Sequence, residues 1–159
     1  MAKVILICGK LCSGKSTYAE KLRAESPAVL LSIDEIMLAL FGLYAGEKHD
    51  EYAERTKQLL YEKSVEIVEA GMDVILDWGF WRRDERAAAK AFYGLRNIPC
   101  ELRYLDVCDD VWKERIEKRN LAISAGRVIA YPVDEHLAAK FASRFEAPDK
   151  QEIDVWGTG

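Results

Sequence analysis

Eight consecutive residues carry the clearest chemistry in this 159-residue chain: Gly9-Lys10-Leu11-Cys12-Ser13-Gly14-Lys15-Ser16. The GxxxxGKS spacing suits a small polyanion. The glycines allow a tight turn that points successive backbone N–H groups at phosphate oxygens. A helix opening near Lys15 adds its positive end to the same spot. Lys15 is placed to reach the β- and γ-phosphates of a nucleotide, and the Ser16 hydroxyl to ligate Mg²⁺. Thr17 belongs to the same stretch, with packing or capping of the helix as its plainer role. Lys3–Cys8 (KVILIC) reads as a buried strand and Lys15–Ala24 as a helix, the strand–loop–helix setting in which the motif holds phosphate.

Other candidates lie where strands should end. Asp34 follows the apolar run Ala28–Ile33. A carboxylate there can take the proton of an attacking hydroxyl. It can equally cap a helix, and Glu35 is its neighbour and competitor. Asp77 ends the run DVILDWGF and could hold the water shell of Mg²⁺, orient a substrate hydroxyl, or merely form a turn. Arg115 and Arg119, four apart in ERIEKRN, share one helix face. Guanidinium groups suit the charge of a transferring phosphoryl group, whereas Glu114, Glu117 and Lys118 would make the same face a solvated one. Arg127 is a weaker candidate of the same kind. Trp78, Phe80 and Trp81 follow the Asp77 strand directly. Aromatic residues mostly pack cores, but Trp78 and Trp81 are candidates to line an acceptor pocket, with Arg86 beside them. His49 and His136 read as surface or structural residues.

These residues need a frame. Strands are expected at Lys3–Cys8, Ala28–Ile33, Asp73–Leu76 and Glu101–Val107, with a fifth, edge strand at Glu152–Trp156. Helices are expected at Lys15–Ala24, Asp34–Phe41, Asp50–Ala70, Arg82–Leu95, Asp109–Asn120 and Val133–Phe145. Strands alternating with helices imply βαβ units and a mainly parallel α/β sheet. Leu121–Pro132 lacks periodicity and contains Gly126, so it reads as a loop or flap.

Composition bounds the rest. Half of the residues are hydrophobic and the net charge is −4, as expected for one soluble domain over 1–159. No apolar run is long enough for a membrane helix. The apolar start, residues 1–8, is too short for a signal peptide. Cys8, Cys12, Cys100 and Cys108 show no CxxC spacing, which argues for reduced thiols in a cytoplasmic setting. Residues 1–23 carry five basic and one acidic side chain, whereas residues 32–73 carry ten acids and four bases. No basic stripe of a nucleic-acid binder is present, and no NKxD run supports guanine specificity.

Taken with Asp34, LDWGFWRRDER and ERIEKRN, the GxxxxGKS loop resembles that of the small P-loop kinases of the zeta-toxin-like, AAA-domain group. That group is similar to the kinase domain of polynucleotide kinase and to chloramphenicol phosphotransferase. The resemblance runs from Val4 to about Pro148 and includes the tail YPVDEHLAAKFASRFEAP. It implies a three-layer α/β/α sandwich with sheet order 2-3-1-4-5 and a lid at about 120–131. It also implies ATP- and Mg²⁺-dependent phosphoryl transfer to a hydroxyl. Asp34 would then be the acceptor-side base, Lys15 and Ser16 would handle phosphate and metal, and Arg119 with Arg115 would be lid arginines. One departure stands out. Many relatives have DxxR, but here the run is Asp34-Glu35-Ile36-Met37. With Met37 in place of an arginine that grips phosphate, a small uncharged acceptor fits better than a nucleic-acid end or a sugar nucleotide. The rivals are a polynucleotide 5′-hydroxyl kinase and an ATP-binding switch that phosphorylates nothing. Oligomeric state is not encoded in any feature of the sequence.

Overall fold

In the computed structural model, which describes residues 1–158, the strands are β1 (Val4–Gly9), β2 (Ala28–Leu31), β3 (Asp73–Gly79), β4 (Cys100–Asp106) and β5 (Val155–Thr158). They form one sheet in the order β2-β3-β1-β4-β5, and every neighbouring pair is parallel. The helices are α1 (Lys15–Glu25), α2 (Ile33–Phe41), α3 (His49–Glu69), α4 (Arg83–Gly94), α5 (Asp109–Ser124) and α6 (Glu135–Arg144).

The central strand explains the layering. All six residues of β1, VILICG, are buried, as a strand covered on both faces requires. Its side chains alternate between two cores. Ile5 and Ile7 pack with Ala19 and Leu22 of α1, and with Ile75 and Leu105. Val4, Leu6 and Cys8 face Tyr61 of α3, Tyr93 of α4, and Val74, Leu76 and Leu102. Each such aliphatic side chain contributes about 1.5–3 kcal/mol on burial.

Three elements depart from the sequence reading by three residues or more, and each departure has a cause. The fifth helix runs on to Ser124, because Leu121-Ala122-Ile123-Ser124 contains no helix breaker before Gly126. The loop is therefore 125–134, not 121–132. The last strand lies at Val155–Thr158 rather than Glu152–Trp156, since Glu152 and Asp154 are engaged by Arg86 and Lys90. The third strand continues past Leu76 to Gly79, so Asp77 sits inside the strand and not in a turn. No helix among the described residues is long and apolar enough to cross a membrane.

Candidate nucleotide and acceptor site

The phosphate loop is fixed from behind. Lys10 turns its ammonium away from the loop, to the Asp109 carboxylate at 2.6 Å and the Val107 carbonyl at 3.4 Å, and it lies 5.3 Å over the Trp112 ring. Trp112 Nε1–H donates to the Leu11 carbonyl, and Arg115 Nη1 donates to the Ser13 carbonyl at 3.0 Å. Helix α5 thus clamps the loop that β1 and α1 hold at its ends. Cys12 takes φ 56° and Gly14 φ 92°, left-handed conformations that bend the loop around its own amides. A Cβ on Gly9 would lie 2.5 Å from Ser13 Oγ, so only glycine lets the chain close there. Lys15 Nζ donates to the Lys10 carbonyl at 2.8 Å, spanning the loop. Burial pushes the Lys15 ammonium below its usual range, and Asp77 is the main group opposing this.

Ser16 and Asp77 come together although far apart in sequence: Ser16 Oγ donates to Asp77 Oδ2 at 3.2 Å. A register irregularity between β1 and β3 helps to place them. Leu6 pairs with Leu76, but Cys8 pairs with Gly79, so β3 carries one extra residue between the two. Such bulges re-aim side chains, and this one falls at Asp77 and Trp78. Burial pushes the Asp77 carboxyl up, while Lys15 and the Ser16 hydroxyl draw it down. Two hard oxygens, one from the first turn of α1 and one from β3, suit Mg²⁺, which takes few protein ligands beside phosphate and water. No group of three or more His, Cys, Asp or Glu side chains that could cage a metal occurs among the described residues.

Across the cleft, α2 starts one residue before Asp34. The cap of α2 is Ser32, whose Oγ accepts from the Glu35 N–H at 3.3 Å. Asp34 is thus spared the capping role. It opens into the cleft, yet enough protein surrounds it that burial raises its carboxyl above the ordinary range. The positive charges of Arg119 and Lys15, followed by His49, work against that rise. Arg119 reaches Cys12 Sγ at 3.8 Å and the Tyr131 carbonyl at 3.3 Å, linking the phosphate loop to the loop 125–134.

A cleft of about 1510 Å³ joins these parts, lined by residues 11–18, Asp34, Glu35, Asp77, Trp78, Trp81, Arg115 and Arg119. That exceeds the usual 300–1,000 Å³ of a single-ligand pocket, leaving room for a nucleotide and a second molecule. Thr17 lines it too, and its side chain is exposed rather than packed. Gly9 and Lys10 do not line it: Gly9 is buried in β1 and Lys10 turns to Asp109.

Arg86 is the clear correction. It is 1% exposed and does not face the cleft. Its guanidinium donates to the Phe80, Trp81 and Glu146 carbonyls and pairs with Glu152 at 3.0 Å. It holds the β3–α4 loop, where Phe80 takes φ 46°, instead of a substrate. Met37 is also turned inward, 1% exposed against α3, with the Thr56 hydroxyl 3.8 Å from its sulfur. His49 and His136, read from the sequence as surface residues, line the cleft with Tyr131, Leu137 and Lys140. A tyrosine before the only proline of an aperiodic loop was the available signal for Tyr131. His49 had none, because Tyr131, the ring it meets at the cleft, is distant in sequence. A second cavity of about 770 Å³ behind Trp81 is lined by charges that neutralise one another, Lys57 with Glu85 and Arg82 with Asp84.

A family model described as "AAA domain" matches residues 4–148. No curated protein matches the chain. Three solved structures share the fold. A sugar kinase from Janibacter sp. HTCC2649 is 18% identical, covering 99% of this chain and 86% of its own, with a TM-score of 0.67. The APS kinase CysC of Mycobacterium tuberculosis, in complex with AMPPNP and APS, is 17% identical, covering 99% and 88%, with a TM-score of 0.64. A chain of the Pnkp1/Rnl/Hen1 RNA repair complex is 19% identical, covering 90% and 43%, with a TM-score of 0.71.

Proposed function

The chain belongs to the AAA-domain family, and on that premise we propose that it is an ATP- and Mg²⁺-dependent kinase, transferring the γ-phosphate to a hydroxyl of a small, uncharged acceptor. The observation that carries this reading is the pairing of Lys15 and Asp34 in one cleft, with Ser32 taking over the helix cap. A phosphate loop alone suits any nucleotide binder. An uncapping, partly enclosed carboxylate across from it suits proton removal.

The roles follow from placement. The loop amides and Lys15 hold the β- and γ-phosphates. Ser16 and Asp77 would hold Mg²⁺, whose charge offsets that of the phosphates. The acceptor oxygen attacks the γ-phosphorus, Asp34 takes its proton, and ADP leaves. Arg119, with Arg115 behind the loop, offsets charge on the moving phosphoryl group. Trp78 and Trp81 supply apolar wall on the acceptor side.

The RNA-repair likeness makes a polynucleotide 5′-end the rival acceptor. Met37 stands in place of the DxxR arginine and is turned into the core, so this position offers no grip on an acceptor phosphate, which favours the small molecule. The test is Asp34→Asn. ADP formation with the acceptor should fall about 10²–10⁴-fold, the span of a general base, while binding of a non-hydrolysable ATP analogue is kept. Unchanged turnover would remove Asp34 from the chemistry, and salt-sensitive turnover on an oligonucleotide would favour the rival.

A further inference from the structure

Tyr131 stands in a loop but is held like a residue of a rigid element. Arg119 Nη2 donates to its carbonyl at 3.3 Å. Two residues on, Asn120 closes a reciprocal pair with the Val133 backbone: Nδ2 donates to the carbonyl at 2.7 Å, and the Val133 N–H donates to Oδ1 at 2.9 Å. Val133 is buried. The Tyr131 ring meets His49 edge-on at 5.9 Å and 88°. His49 is itself fixed: its Nδ1 accepts the Ala45 N–H at 3.2 Å, and Tyr44 stacks on it at 5.6 Å. Fixed backbone and fixed ring together aim the phenol, and they are the kind of support that functional groups require.

The aimed group has no partner in the protein. The Tyr131 hydroxyl is enclosed and makes no hydrogen bond. Such an oxygen is costly to keep, and a phenylalanine would fill the same space without it. Burial and the charge of nearby Asp34 both push the phenol up, so at neutral pH it stays protonated and able to donate. The loop therefore brings one ready donor beside the carboxylate that faces the acceptor.

We infer that Tyr131 is an acceptor-contacting residue that donates its hydroxyl hydrogen to a second oxygen of the acceptor, beside the one that reacts, and that His49 positions it. The acceptor class is thus a diol, polyol or sugar rather than a monohydric alcohol. The inference rests on the kinase reading and deepens it. The phenol donates to the neighbouring oxygen and not to the attacking one, whose lone pair must stay free for phosphorus.

The experiment compares wild type, Tyr131→Phe, His49→Ala, His49→Phe and Lys15→Ala. ADP formation is measured with Mg-ATP against glycerol, pentoses and hexoses, and against monohydric alcohols of matched length. Wild type should favour a polyol or sugar by tenfold or more over its monohydric match. Tyr131→Phe should lose that preference, with KM for ATP within twofold. Its Tm without acceptor should equal or exceed that of wild type. His49→Ala should raise KM for the polyol with KM for ATP unchanged, and His49→Phe, which keeps a flat ring against Tyr131, should recover most of it. A Tm loss of more than about 2 °C in Tyr131→Phe would mark the hydroxyl as structural and overturn the inference. So would an undiminished preference in that variant, or a wild-type preference for monohydric alcohols or oligonucleotides. If no turnover depends on Lys15, the kinase reading itself fails, a result that is separate from all of these.

Discussion

Replacing Arg86 by Met distinguishes a structural arginine from a ligand-binding one. The substitution keeps similar bulk and removes the guanidinium. Glu152 then loses its partner while retaining the Asp149 N–H at 2.8 Å and partial exposure. One-sided loss of a buried ion pair costs about 3–5 kcal/mol, and this partial exposure argues for the lower end. Of the three carbonyls, Phe80 keeps the Cys8 thiol and Trp81 keeps the Glu146 N–H. Only the Glu146 carbonyl is orphaned, which adds about 1 kcal/mol. The sum is about 4 kcal/mol, a large share of the roughly 5–15 kcal/mol that holds a domain together. The measurement is urea unfolding at pH 7, with Tm falling by roughly 10 °C. Acid narrows the gap between the two proteins. Arg86 holds the Glu152 carboxyl below its usual range. The stability from this pair is therefore present above the unfolded pKa and lost as pH falls through the folded one. A loss under about 1 kcal/mol, together with weakened acceptor binding, would refute the structural role and return Arg86 to the substrate side.

Gly9→Ala should weaken ATP-analogue binding at least tenfold by calorimetry, because its Cβ would meet Ser13 Oγ at 2.5 Å and the Leu105 carbonyl at 3.2 Å. Met37→Arg should lower stability by about 2 kcal/mol or more in urea unfolding rather than create a phosphate grip, since its site is 1% exposed. The rate of ADP formation should rise with pH along an acid limb set above the ordinary carboxylate value near 4, because the ionised Asp34 is the base and burial raises its carboxyl. The same shift makes its contribution to stability present below that ordinary value and lost as pH climbs through the raised one. Asp34→Asn should consequently be more stable than wild type at pH 7 by thermal melt.

Legibility in the sequence followed the range of the interactions. KVILIC, the GxxxxGKS loop and the helix after it are adjacent in the chain, so their pattern alone placed strand, turn and helix. Asp34 stood out as a candidate in the same way, at the end of an apolar run. What competed with it was not legible: Ser32 stands two residues earlier and is an equally good cap on paper. Asp77 stood out as a candidate, but the bulge at its position depends on how β3 aligns with β1. Arg86 was misread because its partners, Glu146 and Glu152, lie in the C-terminal segment. Nothing in WRRDER says which arginine turns inward. The last turn of α5 was missed because Asn120 looks like a helix end, whereas here its amide reaches across to Val133. His49 and Tyr131 meet only in three dimensions.

The central position of β1 divides the molecule into two regimes of change. Its amides are tied to β3 on one side and β4 on the other, so they should be among the last in the protein to exchange with deuterium. The phosphate loop grows from that strand and inherits its stillness. The proposed acceptor wall takes Trp78 and Trp81 from the end of β3, but the rest of it grows from the start of α2, the segment before α3, and the loop 125–134, all near the surface. Substitutions at the surface positions of these segments spare the β1 strand and its hydrogen bonds. One such chassis can therefore be re-aimed at new acceptors by drift in its periphery, while the machinery for handling phosphate stays constant.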